Sequence, residues 1–122
     1  GGIAYYPVCD NFNDNGNLRD NQRFISLAEK GYWGPVLLLT GKKDYATPIS
    51  GCQPAVVKHA TKHVEFERGT HGWEIRWRDR STGQLNAHGT CKWSGNKNFK
   101  MCFDEEHTNQ MYDEIGKFAG VR

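Results

Sequence analysis

The sequence lacks any long hydrophobic run, and its apolar content is low. Only 37% of its 122 residues are hydrophobic, and the longest apolar stretch covers residues 35–39. A membrane-spanning helix needs about 20 consecutive, mostly apolar residues, so we expect no membrane span. A chain of this length and composition can bury a modest core in one domain.

Internal repeats, linkers and low-complexity segments are also missing from the sequence. We therefore predict a single domain over residues 1–122. No signal peptide is recognisable, so we expect the mature form if the protein is secreted.

Cysteine, in contrast, is well represented. Four cysteines in a short chain favour an oxidising compartment, and hence a secreted protein stapled by disulfides. They allow three pairings, and the sequence does not decide among them. We favour a bridge between Cys9 and Cys102, which would tie the two ends of the domain together and leave Cys52 to pair with Cys91. A reactive thiol at Cys91 is the alternative.

Charge is distributed unevenly along the chain. The formal net charge is +2, yet acidic groups outnumber basic groups in residues 104–122, which we regard as an acidic C-terminal extension. Residues 1–103 are correspondingly more basic. A basic body permits contact with a polyanion such as RNA. A solubilising surface explains the same charge equally simply.

The apolar patterns predict one helix near the N-terminus followed by strands. The helix covers residues 18–30 and ends at Gly31, a residue suited to a helix C-cap. A second, short helix is predicted over residues 105–116. The strands are predicted over residues 3–9, 32–40, 45–49, 56–66, 73–78, 84–93 and 98–103. This order predicts an α+β fold in which the N-terminal helix packs on a curved antiparallel sheet.

The last two strands carry a family resemblance. Together with Arg76 on the strand before them, they resemble the small guanyl-preferring ribonucleases of fungi. The matching residues are Gln84, Leu85, Thr90, Asn98, Phe99 and Cys102. The resemblance implies a microbial ribonuclease-like fold over most of the chain to about Phe103.

The same resemblance implies that the catalytic residues have been lost. Cys91 stands where the family has its general-acid histidine, and Ala46 where it has its general-base glutamate. The family's other histidine falls near Gly34. Only Arg76 and Tyr32 remain, and an arginine without its acid and base can hold a phosphate but cannot carry out transesterification. We therefore predict no catalytic residues and no enzyme activity.

A ribonuclease-like chain without catalytic residues resembles the RNase-like effectors of cereal powdery mildews, the RNase-like proteins associated with haustoria. That resemblance implies a secreted fungal protein that acts inside plant host cells by binding host RNA or host proteins. It also implies recognition by an intracellular immune receptor of the NLR type. No cofactor, metal or membrane contact is expected.

The residues proposed for RNA or phosphate contact are Arg76, Arg78, Tyr32 and Lys92, with Lys97 and Lys100 nearby in sequence. Tyrosine and tryptophan side chains at Tyr5, Tyr6, Tyr32 and Trp33 are candidates for base stacking. Core packing is the other interpretation of these aromatic residues, and we place Trp73 and Trp77 in the core.

A second cluster leaves an enzyme alternative open. His59, His63 and Glu65 would share one face of an extended strand, with Arg68 and His71 close behind. They could form a relocated acid–base pair in an active ribonuclease. A solvated polar face opposite Val64 and Phe66 accounts for the same pattern. The spacing of the two histidines suits a helix, so a metal site is not predicted.

Overall fold

The computed structural model describes residues 2–5, 29–31, 34–48, 58–95 and 97–121. Within these ranges the chain forms five strands and one long helix. In order they are β1 (Gly2–Tyr5), β2 (Val36–Gly41), β3 (Lys62–Phe66), β4 (Cys91–Trp93), β5 (Lys100–Cys102) and α1 (Glu105–Phe118). The predicted α+β class is therefore confirmed at this level.

The first three strands form a parallel sheet in the order β1-β2-β3, so the predicted antiparallel arrangement is wrong for them. Parallel neighbours need a crossover of a dozen or more residues, and the connections over residues 6–35 and 42–61 are long enough to provide it. Strand β1 lies at one edge of this sheet. The two C-terminal strands, β4 and β5, form the predicted antiparallel hairpin.

Strand β2 lies between two neighbours and is almost entirely buried. Leu37 and Leu39 point toward a core cluster with Phe66, Trp73 and Met111. Leu38 is only 3% exposed and lies on the opposite face, because side chains alternate along a strand. The run of leucines is therefore buried on both faces of the sheet, as is usual in parallel sheets.

The predicted C-terminal helix is confirmed and extends two residues further, as α1. Asp104 is its N-cap, and its carboxylate accepts a hydrogen bond from the backbone N–H of His107 at 2.9 Å. Met111 is buried, and Ile115 and Phe118 pack against the core cluster. The acidic extension is thus part of the packed core. Among the described residues, no helix is long and apolar enough to cross a membrane.

Trp73 joins the sheet to this helix. Its side chain is fully buried, and its ring centroid lies 4.9 Å from that of Phe66 at the end of β3. Its backbone carbonyl accepts hydrogen bonds from the N–H of Asp104 at 2.9 Å and from the hydroxyl of Thr108 at 3.3 Å. Trp73, which we predicted to lie in the core, therefore also fixes the start of α1 through its backbone carbonyl.

Several predicted strands are shorter or absent. Residues 45–47 form bends after β2, so the strand predicted over 45–49 is not found in its described part. Lys58 and His59 are helical, and β3 begins only at Lys62. Residues 71–74 form turns, and the strand predicted over 73–78 is reduced to an isolated bridge between Arg78 and Leu85. The strand predicted over 84–93 is reduced to that bridge and to β4.

The N-terminal helix predicted over residues 18–30 lies mostly outside the described residues. Of its last turn, Glu29 is helical, and Gly31 has a φ of 77°. A left-handed glycine at this point matches the predicted C-cap.

The end of β2 and the segment after β3 approach each other too closely for any side chain. A Cβ on Gly41 would lie 2.2 Å from the carbonyl oxygen of Gly69, which is backbone and cannot rotate away. The amide N–H of Lys43 donates to that same oxygen at 2.9 Å.

We predict that Gly41→Ala lowers the free energy of unfolding by about 1–3 kcal/mol, because the new methyl group forces the two backbones apart. Urea unfolding followed by circular dichroism measures this change. Gly95→Ala is the matched control, since a Cβ there meets nothing within 4 Å. Equal stability of the two variants would contradict the prediction.

Candidate nucleic-acid interface

Strands β4 and β5 present lysines that lie over indole rings. The ammonium nitrogen of Lys92 is 4.9 Å from the ring centroid of Trp77, and that of Lys100 is 5.2 Å from the ring centroid of Trp93. Both distances fall within the range of a cation–π interaction. Trp93 is 55% exposed, and all three residues of β4 are exposed. We call these two contacts the lysine–tryptophan pairs.

The register of the hairpin places the two pairs on opposite faces. Trp93 is directly opposite Lys100, whereas Lys92 is opposite Met101. Because side chains alternate along each strand, Trp93 and Lys100 share one face and Lys92 lies on the other. Trp77 reaches Lys92 from the preceding segment, whose backbone is fixed by a hydrogen bond from the N–H of Asn86 to the carbonyl of Trp77.

Arg76 is held by the protein itself. Its Nη2 donates to the backbone carbonyl of Asn86 at 2.8 Å, its Nε donates to the same oxygen at 3.3 Å, and its guanidinium lies 5.0 Å from the centroid of Phe103. These contacts fix the side chain next to Trp77 in the chain. The residue that the resemblance identifies as a phosphate ligand thus also supports the local structure.

The other predicted RNA-contacting residues are only partly brought together. Arg78 is exposed at the edge of the same segment, where Nη1 donates to the carbonyl of Gly83. Lys92 belongs to the first lysine–tryptophan pair. Tyr32 lies outside the described residues. Trp77, which we placed in the core, is half-buried and contacts Lys92 in the first lysine–tryptophan pair.

The disulfide pairing differs from the favoured one. Cys91 is bonded to Cys102, its direct partner across the β4–β5 hairpin. The bridges that we favoured, Cys9 with Cys102 and Cys52 with Cys91, are therefore wrong, since each needs one of these two sulfurs. Cys9 and Cys52 themselves lie outside the described residues. The alternative of a reactive thiol at Cys91 is also wrong, because its sulfur is bonded to that of Cys102.

The histidine cluster of the enzyme alternative is divided by the fold. His59 lies in a helical turn before β3, so it does not share an extended strand with His63 and Glu65. The Nε2 atom of His63 is 2.7 Å from the hydroxyl of Thr40 on β2. The common face predicted for the three residues is thus not formed.

His71 belongs instead to a polar cluster that the sequence did not indicate. Its Nδ1 is 3.1 Å from the carboxylate of Asp44, which is almost completely buried. The same carboxylate accepts hydrogen bonds from the N–H groups of Ala46 and Thr47 and from the Thr47 hydroxyl. The cluster ties the turn after β2 to the turn after β3. An aspartate often accepts hydrogen bonds from the backbone two or three residues later in a turn. The sequence from Asp44 to Thr47 could therefore have indicated this role of the Asp44 carboxylate.

Arg68 links the end of β3 to the start of α1. Its Nε donates to the carboxylate of Asp104 at 2.9 Å, and its backbone N–H donates to the Nε2 of His107 at 3.1 Å. Burial by itself would raise the pKa of the Asp104 carboxyl. The hydrogen bonds from Arg68 and from the backbone of His107 outweigh that effect, so the pKa lies below its ordinary value.

Neither position that the resemblance assigns to acid–base chemistry carries a titrating side chain. Ala46 has none, and the sulfur of Cys91 is held in the disulfide. In the described part of the chain, no group of three or more histidine, cysteine, aspartate or glutamate side chains is placed to hold a metal ion. What the described residues do offer is a set of cations next to indole rings.

We expect the ion pair at Asp104 to make stability depend on acid pH. A carboxyl with a lowered pKa stabilises the fold above its ordinary pKa of about 3.9, and this contribution is lost as the pH falls through the lowered value. Asp104→Asn keeps a good capping residue but removes the charge. The stability difference between wild type and Asp104→Asn, measured by urea unfolding, should therefore shrink as the pH falls from 7 to 2.

The control for the cap itself is Asp104→Ala, which should be less stable than Asp104→Asn by about 0.5–2 kcal/mol at every pH, because it also lacks the N-cap acceptor. Asn109→Ala, on the exposed side of α1, should cost less than either variant. A difference between wild type and Asp104→Asn that stays constant with pH would contradict the assignment.

Compared with known proteins, the chain matches no family model, no curated protein and no solved structure.

Proposed function

We propose that this protein acts by binding single-stranded RNA through the β4–β5 hairpin and the adjoining segment around Trp77. The observation that carries the proposal is the two lysine–tryptophan pairs on an exposed hairpin. Proteins that bind single-stranded nucleic acid combine cations along the backbone with aromatic rings on which bases stack. Both components are present here within a few residues of each other.

The placement of the charges supports RNA as the ligand. Lys92, Lys97 and Lys100 are all exposed on one short hairpin, and Arg78 is exposed on the neighbouring segment. Exposed cations cost little to desolvate and can exchange counterions for phosphates. Because the lysine–tryptophan pairs lie on opposite faces of the hairpin, a bound strand would pass around its exposed strand β4.

The broader role proposed here is that of a secreted effector of the RNase-like type, without catalytic activity, acting on RNA or proteins of a plant host. It rests on the residues of the last hairpin and on Ala46 and Cys91 at the two acid–base positions. The sheet β1-β2-β3 gives it no support, since it is parallel whereas the resemblance implies an antiparallel sheet. The effector proposal therefore depends on the site residues and not on the fold.

Binding is tested with a fluorescein-labelled single-stranded RNA of mixed sequence, titrated at two salt concentrations. Affinity should fall as salt rises, and Lys92→Ala should reduce the slope against log salt by about 0.7, the share of one phosphate contact on a single strand. Trp77→Leu should weaken binding by about 1–3 kcal/mol through loss of a stacked base.

The matched control is Lys117→Ala, which removes an exposed lysine from α1. That variant should bind like the wild type, and duplex RNA should bind more weakly than the single strand. Equal losses in Lys92→Ala and Lys117→Ala would show that only net charge matters and would exclude this surface as the site.

Catalysis is tested separately with guanosine-containing RNA. We expect the RNA to remain intact at protein concentrations that saturate it, because no acid–base pair stands at the positions implied by the resemblance. Cleavage that is lost in Arg76→Ala would contradict the proposal. Cleavage that is lost in His63→Ala would instead favour the enzyme alternative with relocated residues.

A further inference from the structure

The exposed strand β4 is attached to the protein mainly through β5. Strand β5 has its own anchors, since the N–H of Cys102 donates to the hydroxyl of Thr70 at 2.8 Å and that hydroxyl donates to the Cys102 carbonyl at 3.2 Å. Phe103, directly after β5, is 4% exposed. In β4, by comparison, Cys91, Lys92 and Trp93 are all exposed. The two strands therefore differ sharply in how firmly they are held.

The Cys91–Cys102 disulfide is a covalent cross-link between these two strands, which the chain itself also joins at their other end. It joins residues directly opposite each other, next to the pair Lys92–Met101 and two residues from Trp93–Lys100. The hairpin contains three paired positions on each strand, and a two-stranded hairpin of this kind is marginally stable in water by itself. The disulfide thus supports the strand that carries one member of each lysine–tryptophan pair.

We propose that the Cys91–Cys102 disulfide is a thiol–disulfide exchange site that controls the RNA-binding surface. The ligand class at this site is a dithiol reductant, which can approach because Cys91 is exposed. The expected loss of RNA affinity on reduction rests on the proposed function. The expected separation of β4 from β5 on reduction rests on the disulfide, on the difference in burial between the two strands, and on the hydrogen bonds of Thr70 to β5.

The exchange proceeds in two steps. A thiolate of the dithiol attacks one sulfur of the bridge, forms a mixed disulfide and releases the other cysteine as a thiolate. The second thiol of the reagent then displaces the first cysteine. Two electrons and two protons pass to Cys91 and Cys102, which become thiols, and the reagent leaves as a cyclic disulfide.

The consequence for binding follows from the positions of the lysine–tryptophan pairs. Without the bridge, β4 separates more readily from β5, which stays fixed by Thr70. Lys92 then leaves Trp77, and Trp93 leaves Lys100. Reduction thereby disperses the cations and indole rings that form the RNA surface, while α1 and the core around Trp73 keep their contacts.

Local opening is tested without RNA, by hydrogen exchange of the oxidised and the dithiothreitol-reduced protein. Exchange should increase in peptides that cover residues 90–95 and stay unchanged in peptides from α1. The double variant Cys91→Ala/Cys102→Ala should show the fast exchange in both conditions, which separates this bridge from the other two cysteines. Unchanged exchange over residues 90–95 after reduction would overturn the proposal, as would an equal increase throughout α1.

Control of binding is tested with the labelled single-stranded RNA. Reduction should weaken binding about tenfold, a loss comparable to that of one stacked base, and the double variant should bind weakly whether or not dithiothreitol is present. Affinity that is unchanged by reduction would overturn control of the surface. If neither state binds RNA while residues 90–95 open on reduction, the proposed function fails and the exchange site stands.

Discussion

Burial of Trp73 is the interaction on which the other parts of the described structure depend. Its side chain fills the core between β2, β3 and α1, and its carbonyl accepts the hydrogen bonds that fix the first turn of α1. Its indole is the largest fully buried side chain among the described residues, and buried aromatic side chains contribute strongly to the stability of a core. It also sets where the chain leaves the core, so the segment that follows carries Arg76 and Trp77 out toward the hairpin.

The proposed interface is attached to this frame through Phe103 and Thr70. Phe103 is buried and lies under the guanidinium of Arg76, and Thr70 holds Cys102 by two hydrogen bonds. Beyond them, β4 is exposed and depends on β5 for its position. The proposed RNA-binding surface thus lies on β4, whose three residues are all exposed. Local stability in proteins commonly varies in this way between core and binding elements.

The resemblance to ribonucleases and the geometry of the hairpin support different parts of the proposed function. The proposed relationship to the ribonucleases rests on residues of the last hairpin, whereas the parallel sheet β1-β2-β3 is an arrangement which that resemblance did not predict. The lysine–tryptophan pairs do not depend on the resemblance. They follow from the register of one hairpin and the position of one half-buried indole, so the binding proposal can be judged by itself.

The sequence by itself determined the strand that contains the leucines of β2, the C-terminal helix and the two strands of the last hairpin. It did not determine the direction of the strands in the sheet, because alternation and apolar runs are the same in parallel and antiparallel pairs and only the path of the connections decides. The disulfide was missed for a related reason. Cys91 faces Cys102 only when Ser94 pairs with Phe99, and the turn residues alone allow other registers. Tertiary structure also decided that His71 meets Asp44 rather than the other histidines, since two turns distant in sequence are brought together by the close approach of Gly41 and Gly69.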